Sequence, residues 1–118
     1  MVEYVIARTG DLKPGDRKIV TIRGIRVGLF RIGDEYYALR STCPHQLGPV
    51  CEGKIGAAIV ADETTDWEPV LTHDGEVVAC PWHGLEYYIR TGQCLAYPGL
   101  HLRRYPVKAE RDEIKIYL

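Results

Sequence analysis

Hydrophobic and polar residues alternate over short runs along this chain, and turn residues interrupt those runs at close intervals. Glu3 to Arg8 predicts a strand, followed by a connection through Gly10-Asp11 and Pro14-Gly15-Asp16. Lys18 to Arg23 is rich in β-branched residues, and Gly24 ends it. Arg26 to Ile32 resumes extended chain, Gly33-Asp34 turns it and Glu35 to Arg40 returns, the pattern of an antiparallel meander. Glu76 to Ala79 leads extended into Cys80, and Leu85 to Arg90 runs to a Thr91-Gly92 turn. In the tail, Arg103 to Ala109 pairs with Glu113 to Leu118, which places Ile114 and Ile116 on one strand face. No stretch keeps a helical period for three turns. The pattern predicts an all-β domain with the turn spacing of a small sandwich or barrel.

One segment breaks that rhythm. Gly53 to Asp74, including Asp62-Glu63-Thr64-Thr65-Asp66-Trp67-Glu68-Pro69, is long, acidic and weakly patterned. Residues 54–66 suit a short helical or an irregular piece equally. The segment as a whole is expected to be an exposed excursion, since long loops in compact domains tend to be functional or mobile.

At 118 residues the chain suits one domain with a real core and leaves no room for two catalytic lobes. Its hydrophobic fraction of 46% and charged fraction of 26% are those of an ordinary globular protein. A net charge of −1 argues against a nucleic-acid binder, which would carry a strong basic excess. The first residues, with Glu3 among them, lack the apolar core of a signal peptide, and no run approaches a transmembrane span. A soluble, cytoplasmic protein without a membrane partner is therefore expected. In that setting the four cysteines (Cys43, Cys51, Cys80 and Cys94) read better as metal ligands or buried apolar groups than as a disulfide framework.

Spacing separates the two uses. Cys43-Pro44-His45 and Cys80-Pro81-Trp82-His83 form a Cys-x-His and a Cys-x-x-His pair with 34 residues between them. Each pair sets one thiolate and one imidazole on a tight turn, stiffened by the proline that follows each cysteine. Gly48 and Gly84 let the backbone come close to whatever the turns enclose. Two thiolates and two imidazoles serve either a tetrahedral Cys2His2 zinc or a cluster with both thiolates on one iron and both imidazoles on the other. The spacing alone fits both.

The surrounding residues separate them. Cys43-Pro44-His45, Gly48-Pro49, Glu52-Gly53, then Cys80-Pro81-Trp82-His83-Gly84, Tyr87, Thr91-Gly92 and finally Pro98 resemble the cluster-binding core of Rieske ferredoxins, the electron carriers of ring-hydroxylating oxygenases. The flanks agree, with Tyr37-Ala38-Leu39 before the first motif and Tyr105-Pro106-Val107 with a terminal hairpin after the second, so the resemblance covers nearly the whole chain. It implies the Rieske iron–sulfur fold: a single domain over 1–118, with an antiparallel β-sandwich base and an inserted cluster-binding subdomain over roughly 41–100. It implies one [2Fe–2S] cluster per chain, held by Cys43 and Cys80 on one iron and by His45 and His83 on the other. A third loop around Pro98-Gly99-Leu100 would shield it. The gap between the ligand pairs is about twice that usual in these ferredoxins, and the excess falls in an extended loop over roughly 54–76.

The resemblance also sets expectations for the neighbours. High-potential relatives bridge their cluster loops by a disulfide whose second half-cystine would sit where Trp82 stands, so Cys51 and Cys94 are expected as thiols. Leu85 replaces a serine that bonds a bridging sulfide in those relatives, which points to a low potential. Tyr87 is expected either to bond a ligand sulfur or simply to pack. His73 is expected in a solvated loop, and His101 near the third loop without a required role. The imidazoles of His45 and His83 would face solvent, framed by Leu47, Trp82 and the Pro98 loop, and the potential would fall as pH rises through their pKa values. The implied function is a carrier that takes single electrons from a flavin or iron–sulfur reductase and passes them to an oxygenase. A Rieske small subunit of a larger complex, as in assimilatory nitrite reductase, is the alternative. No catalytic constellation stands apart from the cluster, so no enzyme activity of its own is expected.

Overall fold

The computed structural model describes residues 2–44, 48–82 and 84–118, and the backbone alone at Val60. Among the described residues ten strands follow one another, and three antiparallel sheets contain them all. The first sheet joins β1 (Glu3–Arg8) to β10 (Glu113–Tyr117) and β9 (Val107–Glu110). The second runs β2 (Arg17–Ile22), β3 (Ile25–Ile32), β4 (Glu35–Arg40) and β8 (Arg104–Tyr105). The third joins β5 (Ile55–Val60), β6 (Val70–Ala79) and β7 (Glu86–Tyr88). The meander of β2, β3 and β4 stands where the turn signals put it.

The second sheet is buried on both faces, and its sequence says why. In β3 the run Val27-Gly28-Leu29-Phe30 is buried without interruption, as in a strand with no solvent face. Val27 and Leu29, with Ala38 of β4, meet Ala7, Ile114 and Ile116 of the first sheet to form one core, the filling of a β-sandwich. Phe30 and Leu39 point the other way, into a second core with Val78 of β6, Tyr87 of β7 and all four cysteines. The third sheet, contributed by chain between β4 and β8, therefore rests on the back of the sandwich.

The excursion expected over Gly53–Asp74 is built as a hairpin, where the sequence suggested a short helical or irregular piece. β5 and β6 pair from Ile55↔Val78 to Val60↔Val70. Ile55-Gly-Ala-Ala-Ile-Val shows no alternation, and glycine and alanine are weak strand formers, so the strand did not announce itself. Between the Gly56↔Val77 and Ala58↔Thr72 pairs, β6 carries four residues against one, a wide bulge. His73 (φ 56°) and Gly75 (φ 76°) supply its left-handed turns. At the hairpin's end, Asp62 caps a 3-10 turn over Glu63–Thr65: its carboxylate accepts from Thr64 N at 2.8 Å, and its own N–H donates to Thr65 Oγ1 at 3.1 Å. The acidic run is thus the cap of a hairpin. Elsewhere β7 stops at Tyr88, two residues short of the expected Arg90, and β8 and β9 break at Pro106 what was read as one strand.

Candidate metal centre

Two loops at one end of the third sheet carry the candidate ligands. The first leaves β4 through the buried Ser41 and closes on itself, with the Cys43 and Val50 amides both donating to Gly48 O at 2.8 Å. The second leaves β6 at Cys80, whose amide donates to Leu85 O at 2.7 Å. Gly84 N donates back to Cys80 O at 2.8 Å, and Gly84 sits at φ 73°, where a side chain would be strained. Both thiols are buried, Cys43 at 1% exposure and Cys80 at 3%.

The loops touch through glycine. A Cβ on Gly48 would stand 2.9 Å from Cys80 Sγ and 3.0 Å from the Trp82 ring, so the bare backbone of the first loop lies directly on the thiol of the second. Further along, a Cβ on Gly53 would fall 1.6 Å from Ala79 O, the carbonyl that precedes Cys80. Ala79 N donates to Lys54 O at 2.9 Å across the same junction. Arg17 of β2 donates to the carbonyls of Gly53 and Glu52, and Arg26 of β3 pairs with the Glu52 carboxylate at 2.9 Å. The stretch between the loops is therefore clamped to the sandwich from one side and to β6 from the other.

Beneath the loops lies Tyr87. Cross-strand from Val78 and bridged to Cys94, it is wholly buried, with its hydroxyl 3.1 Å from Cys43 Sγ. Burial pushes its pKa up, and the bond to Cys43 and the nearby Cys94 and Cys80 add to that, so the hydroxyl stays protonated and has a hydrogen to donate. Of the two expectations for Tyr87, the sulfur bond is the one the structure shows.

Cys51 and Cys94 are thiols, as expected, and both are buried. Cys51 Sγ–H points at Leu39 O at 3.6 Å, and burial pushes this thiol up to about 12. Cys94 N donates to Leu100 O at 2.9 Å, tying down the third loop, where Tyr97, Pro98 and Gly99 are exposed. Leu85 packs against the cysteine-containing core, and Trp82 is 57% exposed. His73 is exposed, but it lies on β6 with its ring 5.0 Å edge-on from Tyr88, not in a loop. His101 is exposed and bridges Gln93. His45 and His83, and Leu47 of the expected frame, lie outside the described residues. Among the described residues no three His, Cys, Asp or Glu side chains gather as a metal site. What the structure places in one core is the sulfur half of the expected set. Two buried thiols on glycine-backed loops, with a phenol hydroxyl within hydrogen-bond distance of one, fit the sulfur ligands of an iron–sulfur cluster. Arg17 was given no role from the sequence, because an arginine beside Lys18 at a strand start carries no signal of its target.

Comparison with known protein families matches residues 2–106 to the Rieske [2Fe-2S] domain. Ferredoxin CarAc of Metapseudomonas resinovorans is 27% identical over 79% of this chain and 71% of its own. The 3-phenylpropionate/cinnamic acid dioxygenase ferredoxin subunit of Escherichia coli K12 is 29% identical over 78% and 72%. Mouse apoptosis-inducing factor 3 is 28% identical over 98% of this chain, which spans about 16% of that longer protein. Among solved structures, the ferredoxin of carbazole 1,9a-dioxygenase from Nocardioides aromaticivorans IC177 superposes with a TM-score of 0.71 at 26% identity, covering 98% of this chain and 97% of that one. No described helix is long and apolar enough to cross a membrane. The chain belongs to the Rieske [2Fe-2S] domain family, whose cofactor is a Rieske-type [2Fe–2S] cluster.

Proposed function

We propose that this protein is a cytoplasmic Rieske ferredoxin, with no substrate turnover of its own, that receives single electrons from a reductase and delivers them to an oxygenase. Cys43 and Cys80 would hold one iron and His45 and His83 the other. The cluster, when bound, supplies one-electron exchange at iron. The observation that carries the reading is the pair of buried thiols in one core, on two loops that meet at Gly48, in a chain of this family. The match to 97% of a dioxygenase ferredoxin of known structure and to 72% of a second dioxygenase ferredoxin supports the carrier reading.

The chain's own residues tune and protect the site. The Tyr87 hydroxyl, facing Cys43 Sγ, would donate to that sulfur when it ligates iron and so stabilise added negative charge there. Cys51 and Cys94 leave the loops without a disulfide, and Leu85 offers no hydroxyl. Both features support a potential at the low end of the roughly −150 to +300 mV span of Rieske centres. The two cores support a single domain over 1–118 in which residues 41–100 form the cluster-binding subdomain.

Anaerobic redox titration of the purified holoprotein, followed by EPR of the reduced state, tests the reading. A red-brown protein with a mixed Cys/His [2Fe–2S] signal and a midpoint below zero is expected. A colourless zinc protein overturns it, and a midpoint well above zero overturns the low-potential assignment. Co-purification as a fixed stoichiometric subunit would place the chain in a larger reductase complex instead.

A further inference from the structure

The hairpin of β5 and β6 exposes apolar side chains that the sandwich does not cover. Ile59 and Leu71 are direct cross-strand partners, hence on one face, and they are 69% and 70% exposed. Trp67 at the hairpin's end is 68% exposed. From Ile59 the apolar face continues into a groove of about 340 Å³ lined by Ala57, Ile59, Gly84, Leu85 and Leu95. Gly84 and Leu85 belong to the loop that carries Cys80, so the groove leads from the hairpin to the second ligand loop. β5 is the edge of its sheet and carries no charged residue, leaving that edge unguarded.

Charge is segregated onto the same part of the molecule. Between Lys54 and Arg90 there are seven carboxylates and no lysine or arginine, while the rest of the chain holds all fifteen basic residues against nine acidic ones. Glu86 lines the groove, and Glu63, Asp66 and Glu68 stand exposed at the hairpin's end. An apolar strip rimmed by carboxylates has the anatomy of a protein interface whose opposite face is apolar at its centre and basic at its rim. A second copy of this chain would set carboxylate against carboxylate on that surface, so self-association is disfavoured.

We propose that the β5–β6 hairpin is a docking arm for a basic redox protein, which seats on Ile59 and Leu71 and reaches through the groove to the loop of Cys80. This rests on the electron-carrier reading and specifies where and with what charge a partner docks. Long-range attraction to the acidic arm steers the encounter, and the apolar strip sets the residence time.

The test is NMR titration of 15N-labelled, oxidised holoprotein with cytochrome c, a basic redox protein used as the probe. Amide shifts are expected along β5, at Leu71 and at Gly84–Leu85, with affinity falling about tenfold from low to physiological salt. Leu71→Lys or Ile59→Lys should weaken binding about fivefold or more, whereas Val5→Lys, the same charge change at an exposed site on β1, should leave it nearly unchanged. A footprint on the sandwich, equal loss in the Val5 variant, or self-association through β5 in sedimentation overturns the proposal. Visible absorption of the same samples is read alongside. A protein that holds its cluster and passes electrons but binds elsewhere defeats the docking arm alone, whereas one that holds no cluster defeats the carrier reading beneath it.

Discussion

Cys51 shows how much of the site lies in residues that hold no iron. Its side chain presses on Gly28 so closely that a Cβ there would meet Cys51 Cβ at 2.5 Å and Sγ at 2.7 Å. β3 therefore needs a glycine opposite this thiol, a requirement invisible in the sequence because the two are 23 residues apart. The thiol's raised pKa has a consequence for stability. An acid whose pKa is higher folded than unfolded binds its proton more tightly in the native state, so its contribution is complete below the unfolded value of about 9.0 and disappears as pH climbs toward about 12. At pH 10.5 the loss from this one group is about 2 kcal/mol, taking about 1.36 kcal/mol per unit. Urea unfolding at pH 8 and 10.5 should show the wild type losing about that much more than Cys51→Ala, which has no thiol to ionise. Parallel losses in the two proteins would mean that Cys51 is open to hydroxide. Tyr87 illustrates the opposite case, since the family resemblance already offered a sulfur bond or simple packing there, and its burial on β7 sets the hydroxyl against Cys43.

At the level of elements, the sequence was most legible where turns are short and alternation is regular. β1, β3, β4 and β10 lie within a residue or two of where the pattern put them, and Gly24 and Gly33 punctuate the meander clearly. The β5–β6 hairpin was not legible. Its first strand is glycine and alanine where alternation should show, and the wide bulge at His73–Glu76 removes the register from the second. Both ligand pairs could be read because they are local, while the junction that aligns them is long-range. Gly53 is the centre of that junction. Gly53→Ala puts a methyl against a backbone carbonyl that cannot swing aside, and forcing the two segments apart should cost about 1–3 kcal/mol or more. The displaced segments lead directly from Cys43 and into Cys80, so iron per chain and visible absorption should fall together with stability. Gly56→Ala, three residues on in β5 with nothing within 4 Å of the added Cβ, should change both by little, within about 0.5 kcal/mol in stability. If the two variants behave alike, the Gly53 junction does not align the loops.

Across the whole molecule, two cores share one sheet, and they differ in what fills them. The sandwich core is aliphatic and aromatic, built from Leu12, Val27, Leu29, Ile114 and Ile116 with their neighbours. The second core holds four cysteines among eleven buried residues, two of them the expected ligands, so part of what closes it is the cofactor those sulfurs would bind. The two halves should therefore respond differently to loss of iron. Without it, Cys43 and Cys80 are thiols in contact with a phenol and a glycine backbone, and the short β7, three residues long, has few ladder bonds of its own. The sandwich core is packed from other side chains, none of them an expected ligand. Native-state hydrogen exchange before and after chelation should then show amides of Val77, Val78, Tyr87 and Cys94 losing protection by about a hundredfold or more, while Leu29 and Ile114 change by less than about threefold. A uniform loss would mean that the sheet shared by the cores transmits unfolding and the molecule melts as one unit. Retained protection in both halves would mean that the loops are shaped before iron arrives, with Gly48, Gly53 and Arg17 sufficient to hold two sulfurs in place.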